Sequence, residues 1–433
     1  VIPTNVRFFR VLDSLSGPRI ALHTSFGDCA STGEPAGITT IFRTGIRLAW
    51  KATPGISGTA PVSTEWAIGE PENWTPAGPD GGTWPPEEQD PWRPDPGPVT
   101  FHVRAVDDAG FERILSYELD VREARGSRGL LAVLDTQPDA MQATHGIWPH
   151  SYEVVERALV ENLWLAGRDL VVHETLGLLP PDADRLAHAS TVVWLHSSLP
   201  DDGDSSVLRD LFSVDPATRS LLTTWHEAGG NLVLCGLNPT SGLRFFTSAD
   251  GCDATYQSAP YVFGFTLSDP DLVPHFAASR LAIDRIDAPH GNTVLDPANR
   301  LTIARSAIPW LPDLEFDPAS MPNGPTLGGF GFWDGGVTPR GDAVVAYTAN
   351  DSADALATLL YRGPGRQGNA LYLGLHPWFI DRPQMAEMFG AVLDAFGELR
   401  REEGPAPDQG PGYGVPRPAD GSCRVSPPSD VRQ

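Results

Sequence analysis

The spacing of the apolar residues changes at one place in the chain, and that change limits what it can fold into. Before residues 124–129 (ARGSRG), apolar and polar residues alternate. After them, short uninterrupted apolar runs are separated by stretches with helical spacing. Alternation with period two marks strands with one face in a core and one in water. Continuous runs mark strands covered on both faces, the habit of parallel sheets. The chain therefore carries two kinds of sheet.

Within residues 1–124 the alternation is clearest at 46–52 (IRLAWKA), 62–68 (VSTEWAI), 99–107 (VTFHVRAVD) and 114–123 (ILSYELDVRE). These predict half-buried antiparallel strands. Residues 70–98 are dense in Pro, Gly and Trp, which predicts a long ordered loop. Beyond the linker, LLAVLD (130–135), DLVVHE (169–174), TVVWLHS (191–197), NLVLCGL (231–237), AVVAYTA (343–349) and ALYLGLH (370–376) predict buried strands. Helical spacing at 151–167, 215–230 and 382–397 predicts helices between them, the second stopped by Gly229 and Gly230. Strands alternating with helices predict a doubly wound parallel sheet. The expected division is a β-sandwich over 1–124 and an α/β domain over 128–400 with an insertion at about 243–341. A Pro/Gly-rich extended tail would follow over 401–433.

Charge narrows the partners. Lys and Arg number 31 against 55 Asp and Glu, a formal net charge of −24. Nucleic acid needs clustered cations, so it is not an expected partner. No apolar run reaches the ~18 residues that a membrane-crossing helix needs. Strong self-repulsion predicts that any self-assembly strengthens with salt or divalent cations. The four cysteines, Cys29, Cys235, Cys252 and Cys423, contain no CxxC pair. They predict one or two disulfides and an exported protein, extracellular or on the cell surface, whose signal peptide has been removed.

Two resemblances follow from these residues. LAWKATPG, STEWAI and GPVTFHVRAVDDAGFE resemble the immunoglobulin or fibronectin type III-like modules of bacterial exported proteins, with Phe101, Val103, Ala105, Asp107, Ala109 and Gly110 on the matching strand and turn. The second part resembles the class I glutamine amidotransferase-like superfamily, a flavodoxin-type fold. The match rests on the order of elements, on residues 222–236 ending in LVLCG, and on LGLHPW at 373–378. The resemblance implies Cys235 near a nucleophile position and His376 on the base. Two departures count against catalysis. Val233 and Leu237 stand where the enzymes have glycines, and Trp378 stands where they have the orienting Glu. Asp381 is near enough in sequence to substitute for it. The resemblance thus implies a degraded catalytic motif.

Other candidates are weaker. Asp201, Asp202 and Asp204 in DDGDSS offer oxygens to calcium, without the EF-hand spacing. No other cofactor is expected, because the glycine-rich phosphate loops are missing. Trp74, Trp84 and Trp92 offer rings for a glycan or a protein partner, or else staple their loop to the sandwich. The leading expectation is a secreted or cell-surface non-catalytic binding or structural protein, with a subunit of an extracellular assembly as one form of it. The alternatives are a cysteine-dependent hydrolase or amidotransferase using Cys235 and His376, and a carbohydrate-binding surface protein.

Overall fold

The structure is a computed structural model. It describes residues 17–32, 37–55, 60–127, 129–136, 159–164, 166–175, 180–197, 216–237, 239, 243, 245–247, 254–256, 261–262, 275–291, 301–316, 331–350 and 352–400. Nine strands precede the linker: β1 (Arg19–Thr24), β2 (Cys29–Ser31), β3 (Ile38–Phe42), β4 (Leu48–Thr53), β5 (Pro61–Ile68), β6 (Thr75–Pro76), β7 (Gly81–Trp84), β8 (Gly97–Asp107) and β9 (Glu112–Arg122). They make a four-stranded sheet in the order β2-β1-β4-β7 and a five-stranded sheet in the order β3-β9-β8-β5-β6. All pairings are antiparallel except β3 with β9. Ile20, Leu22, Leu48 and Trp50 of one sheet share a core with Phe101, Val103, Leu115 and Tyr117 of the other. Period-two alternation supplies this layer from both sides. Residues 70–98 are not one loop, because β6, β7 and the start of β8 fall inside them. Thr75, Pro76 and the glycines of GGTW give no apolar alternation, so pairing with β5 and β4 decides these strands.

Beyond the linker lie β10 (Leu130–Thr136), β11 (Leu170–Glu174), β12 (Thr191–Ser197), β13 (Asn231–Leu237), β14 (Phe245–Thr247), β15 (Ala254–Tyr256), β16 (Tyr261–Val262), β17 (Ile283–Ile286), β18 (Ala288–Gly291), β19 (Ile303–Ser306), β20 (Leu314–Glu315), β21 (Gly331–Gly335), β22 (Thr338–Pro339), β23 (Val344–Ala349), β24 (Ala355–Leu360) and β25 (Ala370–Leu373). The helices are α1 (Ala183–His188), α2 (Pro216–Glu227), α3 (Phe276–Ser279) and α4 (Arg382–Ala395). Residues 159–164 are also helical.

The large sheet has nine strands in the order β11-β10-β12-β13-β25-β24-β23-β19-β20. Its first five run parallel. The rest join by antiparallel pairings. Among the described residues strand outweighs helix, 44% against 16%.

This corrects the expected fold class. A doubly wound parallel-sheet domain, and with it the amidotransferase-like and flavodoxin-type resemblance, is not supported. The error has a physical origin. A continuous apolar run reports burial on both faces and says nothing of direction. β24 is buried at all six positions, yet it pairs antiparallel with both neighbours. Its link to β25, residues 361–369, is shorter than the dozen or so residues a parallel crossover needs.

Both faces of the large sheet are covered. Leu131, Val133, Leu232 and Leu234 lie in one cluster with Leu221, Leu222 and Trp225 of α2. The alternate positions Ala132, Val193, Val233 and Leu371 are buried as well. β3 docks on α2, where the Phe42 amide donates to Thr224 Oγ1 at 2.9 Å. Arg280 pairs with Glu227 at 3.0 Å at the end of α2. Burial raises the Glu227 carboxyl and Arg280 opposes that rise.

Candidate functional site

The carboxyl ends of parallel strands are where such sheets gather chemistry. Here three neighbouring strands present one row: Asp135 on β10 is level with His196 on β12, which is level with Gly236 on β13. Each is the next-to-last residue of its strand. The Asp135 carboxylate is the hub. Oδ1 accepts from Thr175 Oγ1 at 3.0 Å, and Oδ2 accepts from Trp194 Nε1 at 3.2 Å. His196 Nδ1 lies 3.1 Å from the same Oδ2. A proton on Nδ1 donates to the carboxylate and leaves Nε2 as the basic nitrogen, the tautomer that bases and metal ligands use. Yet Asp135 is 1% exposed and His196 is 0% exposed. The pair therefore ties β10, β11 and β12 together inside the fold.

Gly236 closes the row. Its φ is +143°, and a Cβ there would lie 1.7 Å from the His196 carbonyl oxygen. Its amide donates to the Leu375 carbonyl at 3.1 Å. No residue with a side chain fits where β13 turns away from the sheet.

Cys235 sits one residue earlier and is completely buried. Its thiol is unpaired with any other cysteine and donates to the Trp194 carbonyl at 3.7 Å. Burial alone pushes its pKa far above the usual thiol range. A thiolate, the nucleophilic form, is therefore suppressed. His376 caps a short 3-10 turn, Pro377–Phe379, where its Nδ1 accepts from the Trp378 amide at 3.1 Å. Burial lowers its pKa to about 3. Asp381 does not orient this ring; it is the N-cap of α4 and accepts from the Gln384 amide at 3.3 Å. Trp378 is buried under the Arg382 guanidinium, 5.3 Å from the ring centroid.

The tryptophans divide. Trp66, Trp84 and Trp92 pack against the sandwich core. Trp84 is 4.7 Å from Trp66 and 5.1 Å from Trp92 between centroids, and Trp66 stacks on Phe101 at 5.8 Å. Trp84 and Trp92 thus staple their segment to the sandwich. Trp74 lies outside that column, with the Arg104 guanidinium 4.6 Å from its ring centroid.

Asp201, Asp202 and Asp204 lie outside the described residues, as do Cys252 and Cys423. Among the described residues no group of three or more His, Cys, Asp or Glu is placed to hold a metal ion. Cys29 on β2 is disulfide-bonded, whereas Cys235, one of the four cysteines expected to supply one or two disulfides, is free. The Asp135–His196 pair was missed in the sequence. The available signal was a polar residue next to last in each of two apolar runs, LLAVLDT and TVVWLHS.

No family model matches the chain, and no curated protein matches it. Among solved structures, it is similar to the fibronectin(III)-like modules of Clostridium thermocellum CbhA, at 15% identity over 25% of this chain and 47% of that one, with a TM-score of 0.16. It is also similar to a 2,6-sialyltransferase of a Photobacterium species, at 10% identity over 46% of this chain and 40% of that one, with a TM-score of 0.16. The chain thus spans less than half the length of either. Likenesses this slight carry no argument, and the immunoglobulin or fibronectin resemblance gains no support from them. No helix among the described residues is long and apolar enough to cross a membrane.

Proposed function

We propose that the chain is a non-catalytic binding or structural protein, exported or displayed at a cell surface, and a subunit of an extracellular assembly. The observation that carries this reading is the fate of Cys235. Its thiol is held protonated in the core and its hydrogen bond is spent on a backbone carbonyl. The imidazole that would serve it is spent on its own turn. Gly236, at the turn itself, has no side chain to offer. The Cys29 disulfide supports an oxidising compartment.

The test is alkylation of the native protein by iodoacetamide near neutral pH, with mapping of Cys235. The expected result is no labelling until denaturant is added. Rapid labelling of the native chain, slowed in His376→Ala, would overturn the reading in favour of a cysteine-dependent enzyme.

A further inference from the structure

We propose that Trp74, braced on the outer face of the five-stranded sheet by Arg104, is a stacking platform for a neutral polysaccharide. This rests on the reading of the chain as a binding protein and names the ligand class.

Phe101, Val103 and Ala105 point into the core, so His102 and Arg104 point outward. Register sets Glu65 opposite Arg104 and Ser116 opposite His102. Arg104 Nε donates to Glu65 Oε2 at 2.7 Å, and Nη1 lies 3.7 Å from Glu112 Oε2. His102 is held in the same way, with Nδ1 2.9 Å from Ser116 Oγ and Nε2 2.8 Å from the Gly69 carbonyl. His102 and Arg104 are thus held in place before any ligand arrives. Trp74 lies against the fixed guanidinium.

Trp74 differs from its neighbours in where it spends its ring. Trp66, Trp84 and Trp92 join the core column, whereas Trp74 packs on a charged group at the surface and stays partly exposed. Residues 71–73 and 75–76 beside it are exposed and include Glu72 and Asn73. A pyranose ring presents an apolar C–H face and equatorial hydroxyls. An indole packed on a guanidinium that a carboxylate holds in place suits both. Glu65, Glu112 and Glu118 share this face, and Glu72 is two residues from Trp74 in the chain. With the net charge of −24, they disfavour uronic-acid or sulfated chains. That selects a neutral glycan.

The experiment is affinity electrophoresis of the full chain in native gels containing, in turn, mixed-linkage β-glucan, arabinoxylan, glucomannan, galactomannan and, as the anionic comparison, polygalacturonate. Retardation is expected in at least one neutral gel. Trp74→Ala should weaken it roughly tenfold, about what one aromatic contact contributes. Trp74→Phe, which keeps a ring, should retain most of it. Trp310→Ala, which alters a 42%-exposed tryptophan elsewhere in the chain, should leave it unchanged. No retardation in any neutral gel, undiminished retardation of Trp74→Ala, or retardation by polygalacturonate alone would overturn the proposal. The two readings fail separately. A chain with unlabelled Cys235 that ignores every gel loses only the glycan. A chain with labelled Cys235 whose retardation depends on Trp74 loses only the non-catalytic reading.

Discussion

The two halves of the molecule differ in how much of their sheets meets water. In the two-sheet half the outer faces meet water and the Arg104 ion pairs lie there, while Asp28 is buried with Thr39 and Tyr117. Arg104 and Glu65 keep 27% and 24% of their side-chain surface exposed. In the nine-stranded half both faces are covered at the centre of the sheet, and a polar cluster at the strand ends is completely buried, although ion pairs such as Arg305–Asp313 stay exposed. Asp135, Thr175 and His196 are each 1% exposed or less. The contrast concerns consequence as much as position. A buried polar group that loses its partner costs its full desolvation, whereas an exposed ion pair that is lost costs little.

The sharpest way to break this comparison is Gly236→Ala. Its Cβ would overlap the His196 carbonyl, in a backbone conformation that residues with side chains rarely adopt. We expect a loss of about 4 kcal/mol or more in urea unfolding, among the largest single-residue effects. A loss below about 1 kcal/mol would mean that the row of strand ends is not rigid.

Next is Asp135→Ala, which leaves Thr175, Trp194 and His196 without the carboxylate they share. About 3 kcal/mol is expected. Arg104→Ala on the other half should cost about 1 kcal/mol or less. Equal losses measured by the same chemical denaturation would remove the distinction between the halves.

Acid offers a separate lever on the buried half. Burial lowers His226 to about 3 and His376 to about 3. For His226, the Arg280 charge and then the Arg362 charge add to this, while its hydrogen bond to the Asn369 carbonyl opposes it. Both groups are neutral when folded and take up a proton when unfolded below pH 6.5. Their stabilisation is present above pH 6.5 and is lost as pH falls from there toward 3. Within that window each costs about 1.4 kcal/mol per pH unit. His226→Gln should flatten the slope of stability against pH between 6 and 4, read by chemical denaturation at each pH. An unchanged slope would show that neither burial nor Arg280 governs this residue.

Much of the strand content was legible in the sequence. β4, β5, β8 and β9 fall where alternation placed them, and β10 to β13 fall on the apolar runs. Helix α2 ends before Gly229, whose φ of +103° suits a helix stop. The short strands β6 and β7 were hidden, because two to four residues rich in Pro and Gly show no period. β24 was not picked out, and the antiparallel direction of β23 and β24 was hidden too, and with it the fold class. At the candidate site, Cys235 and His376 were visible as residue types, but their burial and their hydrogen-bond partners were not.

The sequence by itself determined where strands are buried on one face and where on two, because side-chain period is a local property of the backbone. It also determined the overall charge and the change of regime at residues 124–129. Tertiary structure alone decided the rest. Whether β24 runs with or against its neighbours depends on which strand it meets. Whether Cys235 is a thiolate depends on the core around it. Whether Trp74 or Trp84 faces water depends on which aromatic column has already formed. Each of these is a contact between residues far apart in the chain, and desolvation and pairing energies exist only once that contact is made.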